Sequence, residues 1–282
     1  MSTLDYRGAA QVELLGTLKR RYGGEIDRIP TKPENAPVGG FHLDNDMFGS
    51  VDAEILYAMV RDLKPKHILE IGSGWSTLLA LQALAKNAQD GHAGEIVAID
   101  PVAPGFVYDQ GARIRHQALQ DVGQGVFDML GPGDILFADT SHVFIDDHEI
   151  DHVLRAMGRL SDVYVHFHDI FLPGGYPEAW SSRGYDEQDH LIEFLFDHPE
   201  WEVILGAAYL HQAESEFLKA TFTSYDPGRA IPPGSFWLYR PSMQPEEIAE
   251  IDPESQHAFV SSRDGRKCII CGMTEKAKRH QV

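Results

Sequence analysis

The sequence predicts a doubly wound α/β sheet, and three observations carry that prediction. Short apolar strand signals alternate with helical patterns along most of the chain. The run His67-Ile-Leu-Glu-Ile-Gly-Ser-Gly-Trp-Ser-Thr77 reads as a buried strand, a glycine turn and a helix start. The run Glu95-Ile-Val-Ala-Ile-Asp100 reads as a second buried strand ending in a carboxylate and followed by Pro101.

Taken in order, residues 1–50 form an N-terminal extension, with an amphipathic helix over 9–22 and a Pro- and Gly-rich loop over 29–49 that is placed to cap a pocket or to serve as a surface or dimer contact. A helix over 51–63 leads into the first strand. Beyond the glycine turn, Ser76 or Thr77 is positioned to cap a helix whose apolar face carries Leu78, Leu79, Leu81 and Leu84. Residues 113–119 suggest a third, less central strand. Asp134-Ile-Leu-Phe-Ala-Asp139 is a strong fourth, and Val163-Tyr-Val-His-Phe-His168 is a fifth with two unlike faces. Between them Ile150, Val153, Leu154 and Met157 mark a helix. Residues 201–205 and 235–239 are the last two strands, separated by an insertion over 207–222 with a helix of its own. The main domain therefore spans 51–240, and 241–282 is a polar tail.

Composition narrows the function. A chain of 282 residues with 43% hydrophobic content buries a substantial core. A formal charge of −19 argues against gripping nucleic acid by its phosphates and against anionic membranes. No apolar run approaches a membrane span and residues 1–7 lack a signal-peptide order, so the expected location is the cytoplasm. The two cysteines, Cys268 and Cys271, fit a reducing compartment. With His257 and His280 their spacing matches no common zinc finger closely, which favours an incidental or reactive thiol pair.

Chemistry is expected at the carboxyl ends of the strands, where open α/β sheets bind ligands. Glu70 places a carboxylate beside the turn of Gly72, Ser73, Gly74 and Ser76, while Asp100 is placed for the vicinal diol of a ribose. A dinucleotide fingerprint needs glycine at position 77, where the chain has Thr77. Asp139 and His142 close the fourth strand and His168 and Asp169 the fifth, so adjacency of these strands brings the four together, with His166 one repeat deeper.

The pattern Glu70-x-Gly72-x-Gly74 resembles the first motif of class I S-adenosylmethionine-dependent methyltransferases. The segments Asp-Ile-Leu-Phe-Ala-Asp139-Thr-Ser-His142 and Val-His-Phe-His168-Asp169, with the ending Gly234-Ser-Phe-Trp-Leu, resemble a bacterial group catalogued as methyltransferase family 24. The resemblance spans about residues 50–240. It implies a Rossmann-like methyltransferase fold, a mostly parallel seven-stranded sheet with one antiparallel strand. It also implies S-adenosylmethionine as cofactor, with Glu70, Gly72, Ser73, Gly74, Ser76, Asp100 and Asp139 around it.

The similarity to catechol-type and sugar O-methyltransferases further implies a divalent metal on Asp139 and Asp169, with His142 and His168 in the same cluster. Imidazole at position 168, where those enzymes usually offer oxygen, favours iron, manganese, zinc or nickel over magnesium. Two mechanisms follow. In one the metal activates the hydroxyl of a small acceptor such as a sugar, a phenol or another secondary metabolite. In the other His142 or His168 is a general base oriented by Asp169 or Asp139. A nicotinamide-dependent oxidoreductase and a noncatalytic binding protein are the readings from other classes. Tyr176, Trp180, Arg183, Tyr185 and Gln188, on the long loop after the fifth strand, are candidate substrate contacts or the loop's own small core. Asp186 is placed to cap the helix that follows, and a homodimer is compatible with the N-terminal extension.

Overall fold

The computed structural model describes residues 4–242, 259–262 and 265–268. The strands are β1 (His67–Ile71), β2 (Glu95–Ile99), β3 (Arg113–Arg115), β4 (Ile135–Ala138), β5 (Tyr164–Phe167), β6 (Glu202–Gly206) and β7 (Phe236–Tyr239). They form one sheet in the order β3-β2-β1-β4-β5-β7-β6. Neighbours from β3 to β5 pair in parallel, and β7 runs antiparallel to both β5 and β6. The sheet is therefore the seven-stranded, mostly parallel, doubly wound one expected, with the single antiparallel strand identified as β7.

Side-chain alternation divides the core between two faces. Ile68, Ile96, Ile135, Phe137 and Trp237 pack on one side with the helices α1 (Gly8–Ile26), α2 (Asp52–Leu63) and α3 (Trp75–Gln89). Leu69, Ile71, Val97, Leu136, Val165 and Leu238 face the other side. Three further helices lie there: α4 (Leu119–Val122), α5 (Glu149–Met157) and α6 (Glu187–Asp197). Glu70, His166 and His168 share the first face by the same alternation, so all three point toward the α2 and α3 layer.

Several expectations are refined. The N-terminal helix is longer than the 9–22 expected and packs on α2. The third strand does not reach Leu119. β3 pairs with β2 through three residues, Gln117 N–H folds back onto the Arg115 carbonyl, and Leu119 already begins α4. The insertion holds two short helices, α7 (Ala207–Ala213) and α8 (Ser215–Thr221), rather than one. Gly74, not Ser76 or Thr77, occupies the cap of α3; the Thr77 hydroxyl instead accepts the Gly74 N–H.

The chain divides into two compact units, 1–240 and 241–282. Within the second, β8 (Phe259–Ser262) and β9 (Gly265–Cys268) form an antiparallel hairpin. His257, Cys271 and His280 lie outside the described residues. Among the described residues, no helix is long and apolar enough to cross a membrane.

Candidate active site

Strand order reverses between β1 and β4, which opens a crevice at their carboxyl ends. On the β1 side, Gly72 has φ +87°, and a Cβ there would stand 2.4 Å from the Asp139 carbonyl oxygen. The turn after β1 therefore touches the end of β4 through backbone atoms alone, an approach open only to glycine. Gly72→Ala is expected to destabilise the fold by about 1–3 kcal/mol, through overpacking and left-handed strain. Denaturant unfolding would read this; a wild-type midpoint would mean the turn relaxes away from β4 at no cost.

The turn is braced from two directions. Ser73 Oγ donates to Asp100 Oδ2 at 2.6 Å, tying the tip of β1 to the tip of β2. The other Asp100 oxygen accepts the Val102 N–H, so the Asp-Pro turn expected as its plain structural role is also present. Beneath the turn, Ser76 Oγ and Thr77 Oγ1 each donate to Glu70 at 2.6 Å. Glu70 is 1% exposed, and burial pushes its carboxyl up to about 8. Glu70 and Ser76 thus brace the turn from beneath. At the open side Trp75 packs against Phe41, His42 and Phe106, a contact between the N-terminal loop and the segment after β2.

Across the reversal, Asp139, His168 and Asp169 form a group in which one donor atom of each lies within 4.8 Å of the others. His168 Nδ1 is 3.7 Å from Asp139 and 3.7 Å from Asp169. His142 Nε2 is 3.6 Å from Asp139 and 3.5 Å from Asp169. These spacings are longer than hydrogen bonds and suit donors facing a shared space. His142 Nε2 is thus as near to both carboxylates as His168 Nδ1 is, and the four residues lie together at the strand ends. The Asp139 side chain, 37% exposed, is the most accessible member.

Each imidazole has a buried carboxylate behind it, and neither carboxylate is apparent from the sequence. His142 Nδ1 lies 2.7 Å from Glu187 Oε2, within hydrogen-bond distance, and Thr140 Oγ1 donates to Glu187 Oε1 at 2.9 Å. His168 Nε2 faces Asp52 Oδ2 at 3.7 Å. Asp52 itself accepts the Gly234 and Ser235 N–H groups at 3.0 and 2.8 Å. Asp52 begins α2 and Glu187 begins α6, so two helix starts reach under the site from outside the strand tips. Phe48 of the N-terminal loop packs against the His168 ring at 4.9 Å.

Burial opposes charge on His168, but Asp169 and Asp139 outweigh it and hold the ring well above the ordinary histidine range. His142 is also raised, burial being outweighed by Glu187. Burial pulls Asp139 upward, yet His168 and His142 hold it below its usual value, whereas burial keeps Asp169 above its own. His166 differs: fully buried, with Nε2 2.9 Å from Ser235 Oγ, it is driven down to about 3 by burial and by His168, and remains neutral.

The loop residues expected to meet substrate mostly pack on one another. Gln188 is a staple: its Oε1 accepts the Phe171 N–H, its Nε2 donates to Gly174 O, and its own N–H donates to Tyr176 Oη. Trp180 sits edge-on to Phe171 and Tyr185, with the Arg183 guanidinium 4.9 Å above its ring. Tyr185 reaches the cluster, edge-on to His142 at 5.0 Å. Asp186 precedes α6 but spends its carboxylate on the Phe144 N–H rather than on a cap.

No family model matches the chain. An uncharacterized protein of Archaeoglobus fulgidus is 30% identical over 106 residues, 36% of this chain and 47% of that protein. The chain thus matches about half the length of this relative. Among solved structures, an O-methyltransferase from Bacillus cereus in complex with SAH aligns over 81% of this chain and 89% of its own, at 11% identity and TM-score 0.42. The MycE methyltransferase of the mycinamycin pathway, in complex with Mg and SAH, aligns over 84% and 57%, at 14% identity and TM-score 0.40. CmcI with Mg and SAM aligns over 68% and 72%, at 13% identity and TM-score 0.39.

Proposed function

We propose that this chain is an S-adenosylmethionine-dependent methyltransferase that methylates a hydroxyl of a small molecule, with a divalent metal ion held by Asp139, His168 and Asp169. The observation that carries this reading is the backbone contact between Gly72 and Asp139. It sets the glycine turn, with its Ser73–Asp100 pair, directly against the carboxylate and imidazole cluster. A cofactor seated on the turn has its reactive group at the border of that cluster, which is the geometry a direct transfer between two bound partners requires.

The donor set supports a metal on chemical grounds. Two carboxylates and one imidazole, spaced beyond hydrogen-bond distance and backed by a carboxylate at Asp52, match the outer-shell arrangement that orients metal-bound histidine. The nitrogen donor favours iron, manganese, zinc or nickel over magnesium. Such an ion supplies Lewis acidity that lowers the pKa of an acceptor hydroxyl. The chain's own residues do the rest: the acids fix the acceptor's position, and His142, beside them with Nε2 directed inward, is placed to take its proton.

The net charge of −19 favours an uncharged or cationic acceptor over nucleic acid. Calorimetry with S-adenosylmethionine tests the core of the reading, and absence of binding would remove it. Asp100→Ala is expected to weaken that binding about 10- to 100-fold, the cost of losing hydrogen bonds to a charged group. Unchanged affinity would mean the ribose lies elsewhere. Binding of NAD in place of the sulfonium cofactor would promote the oxidoreductase.

A further inference from the structure

Glu187, at the start of α6, reaches the end of β4 from a helix remote in sequence. Glu187 is 1% exposed, and both of its oxygens are committed to the β4 end, one to His142 Nδ1 at 2.7 Å and the other to Thr140 Oγ1 at 2.9 Å. The backbone repeats the connection: the Asp186 and Glu187 N–H groups both donate to the His142 carbonyl. Thr140 Oγ1 also accepts the His142 N–H. His142 has φ +61°, a left-handed backbone that a non-glycine residue adopts at a cost and keeps only when its surroundings enforce it.

We propose that Glu187 is a positioning residue that holds His142 in the tautomer with the proton on Nδ1, so that Nε2 presents its lone pair to the acceptor beside Asp139 and Asp169. The proposal rests on the methyl-transfer reading for its chemistry, though not for its geometry. In the step it serves, the acceptor O–H proton passes to His142 Nε2 and the oxygen bonds to the methyl carbon. The carbon–sulfur bond breaks with its electron pair going to sulfur, giving the neutral thioether, and no oxidant or reductant is needed. A carboxylate that accepts from Nδ1–H both fixes the ring and stabilises the imidazolium formed on the far nitrogen. Had Glu187 been absent, either ring nitrogen would be free to carry the proton.

The test is ¹⁵N–¹H correlation of histidine side chains in the full-length protein, at a basic pH where the ring is neutral. In the wild type His142 is expected as the Nδ1–H tautomer. Glu187→Gln should reduce that form from dominant to minor, and Thr140→Val, which frees one Glu187 oxygen, should reduce it partly, with the His166 signals unchanged in both as the check that the core is intact. A wild-type Nε2–H tautomer, or a tautomer indifferent to both substitutions, would overturn the proposal. Failure to bind S-adenosylmethionine would defeat the methyl-transfer reading while leaving the tautomer result to stand.

Discussion

Asp52→Ala is expected to lower the unfolding free energy by about 3–5 kcal/mol, the cost of removing one partner from a buried ion pair. Asp52 is 6% exposed, and its carboxyl is held below the ordinary range: burial opposes this, but His168 and the Gly234 and Ser235 N–H groups outweigh it. Alanine leaves those two buried N–H groups without an acceptor and His168 facing an empty wall. Urea unfolding measures the stability. Metal titration of the folded fraction measures the second consequence, a fall in Mn2+ affinity of about 10- to 100-fold if His168 is a ligand. Asp52→Asn keeps one acceptor and separates the two effects, since it should recover part of the stability and little of the affinity. A large stability loss with intact Mn2+ affinity would take His168 out of the ligand set.

The position of Asp52 also shows where the sequence stops being legible. The strand tips could be read directly, because a residue's place in a parallel strand fixes which end and which face it occupies. That is why Asp139, His142, His168 and Asp169 were foreseeable as neighbours, and why His166 sits one repeat below His168 as expected. Asp52 and Glu187 carry no such signal. Each is one of several acidic residues in the first turn of a helix, where a carboxylate is favoured by the helix dipole regardless of any site. Only the packing of α2 and α6 across strands remote in sequence selects these two from Glu54 and Asp189. The aromatic loop is ambiguous in sequence for the opposite reason: Tyr176, Trp180 and Arg183 suit a binding rim and a small core alike, and the rings do pack on one another, so exposure rather than identity decides which surface is available. Glu70 was legible in position, and its strand face carries it under the first turn of α3, where the Ser76 and Thr77 hydroxyls donate to it.

That direction makes Glu70→Gln informative. Burial raises the folded pKa of Glu70 from 4.5 to about 8, so its carboxyl is protonated more readily folded than unfolded. A group shifted this way contributes its full favourable term below the unfolded pKa and loses it as pH rises through the folded pKa. Wild-type stability should therefore decline between about pH 4.5 and pH 8 by an amount on the order of a few kcal/mol from this residue. Glutamine cannot ionise, and the Ser76 and Thr77 hydroxyls that now donate to Glu70 can turn to accept its amide N–H. The variant should match the wild type near pH 4 and exceed it by a growing margin up to about pH 8, with no further gain above, as read by chemical denaturation across the range. A margin independent of pH would show that the carboxylate is ionised and well solvated in the fold. S-adenosylmethionine affinity supplies the functional half: a support beneath the turn predicts near-wild-type binding in Glu70→Gln, whereas a carboxylate that contacts the cofactor directly predicts its loss. The two outcomes distinguish a residue that shapes the cofactor's seat from one that touches the cofactor, and the buried pair of hydroxyl contacts at 2.6 Å favours the first.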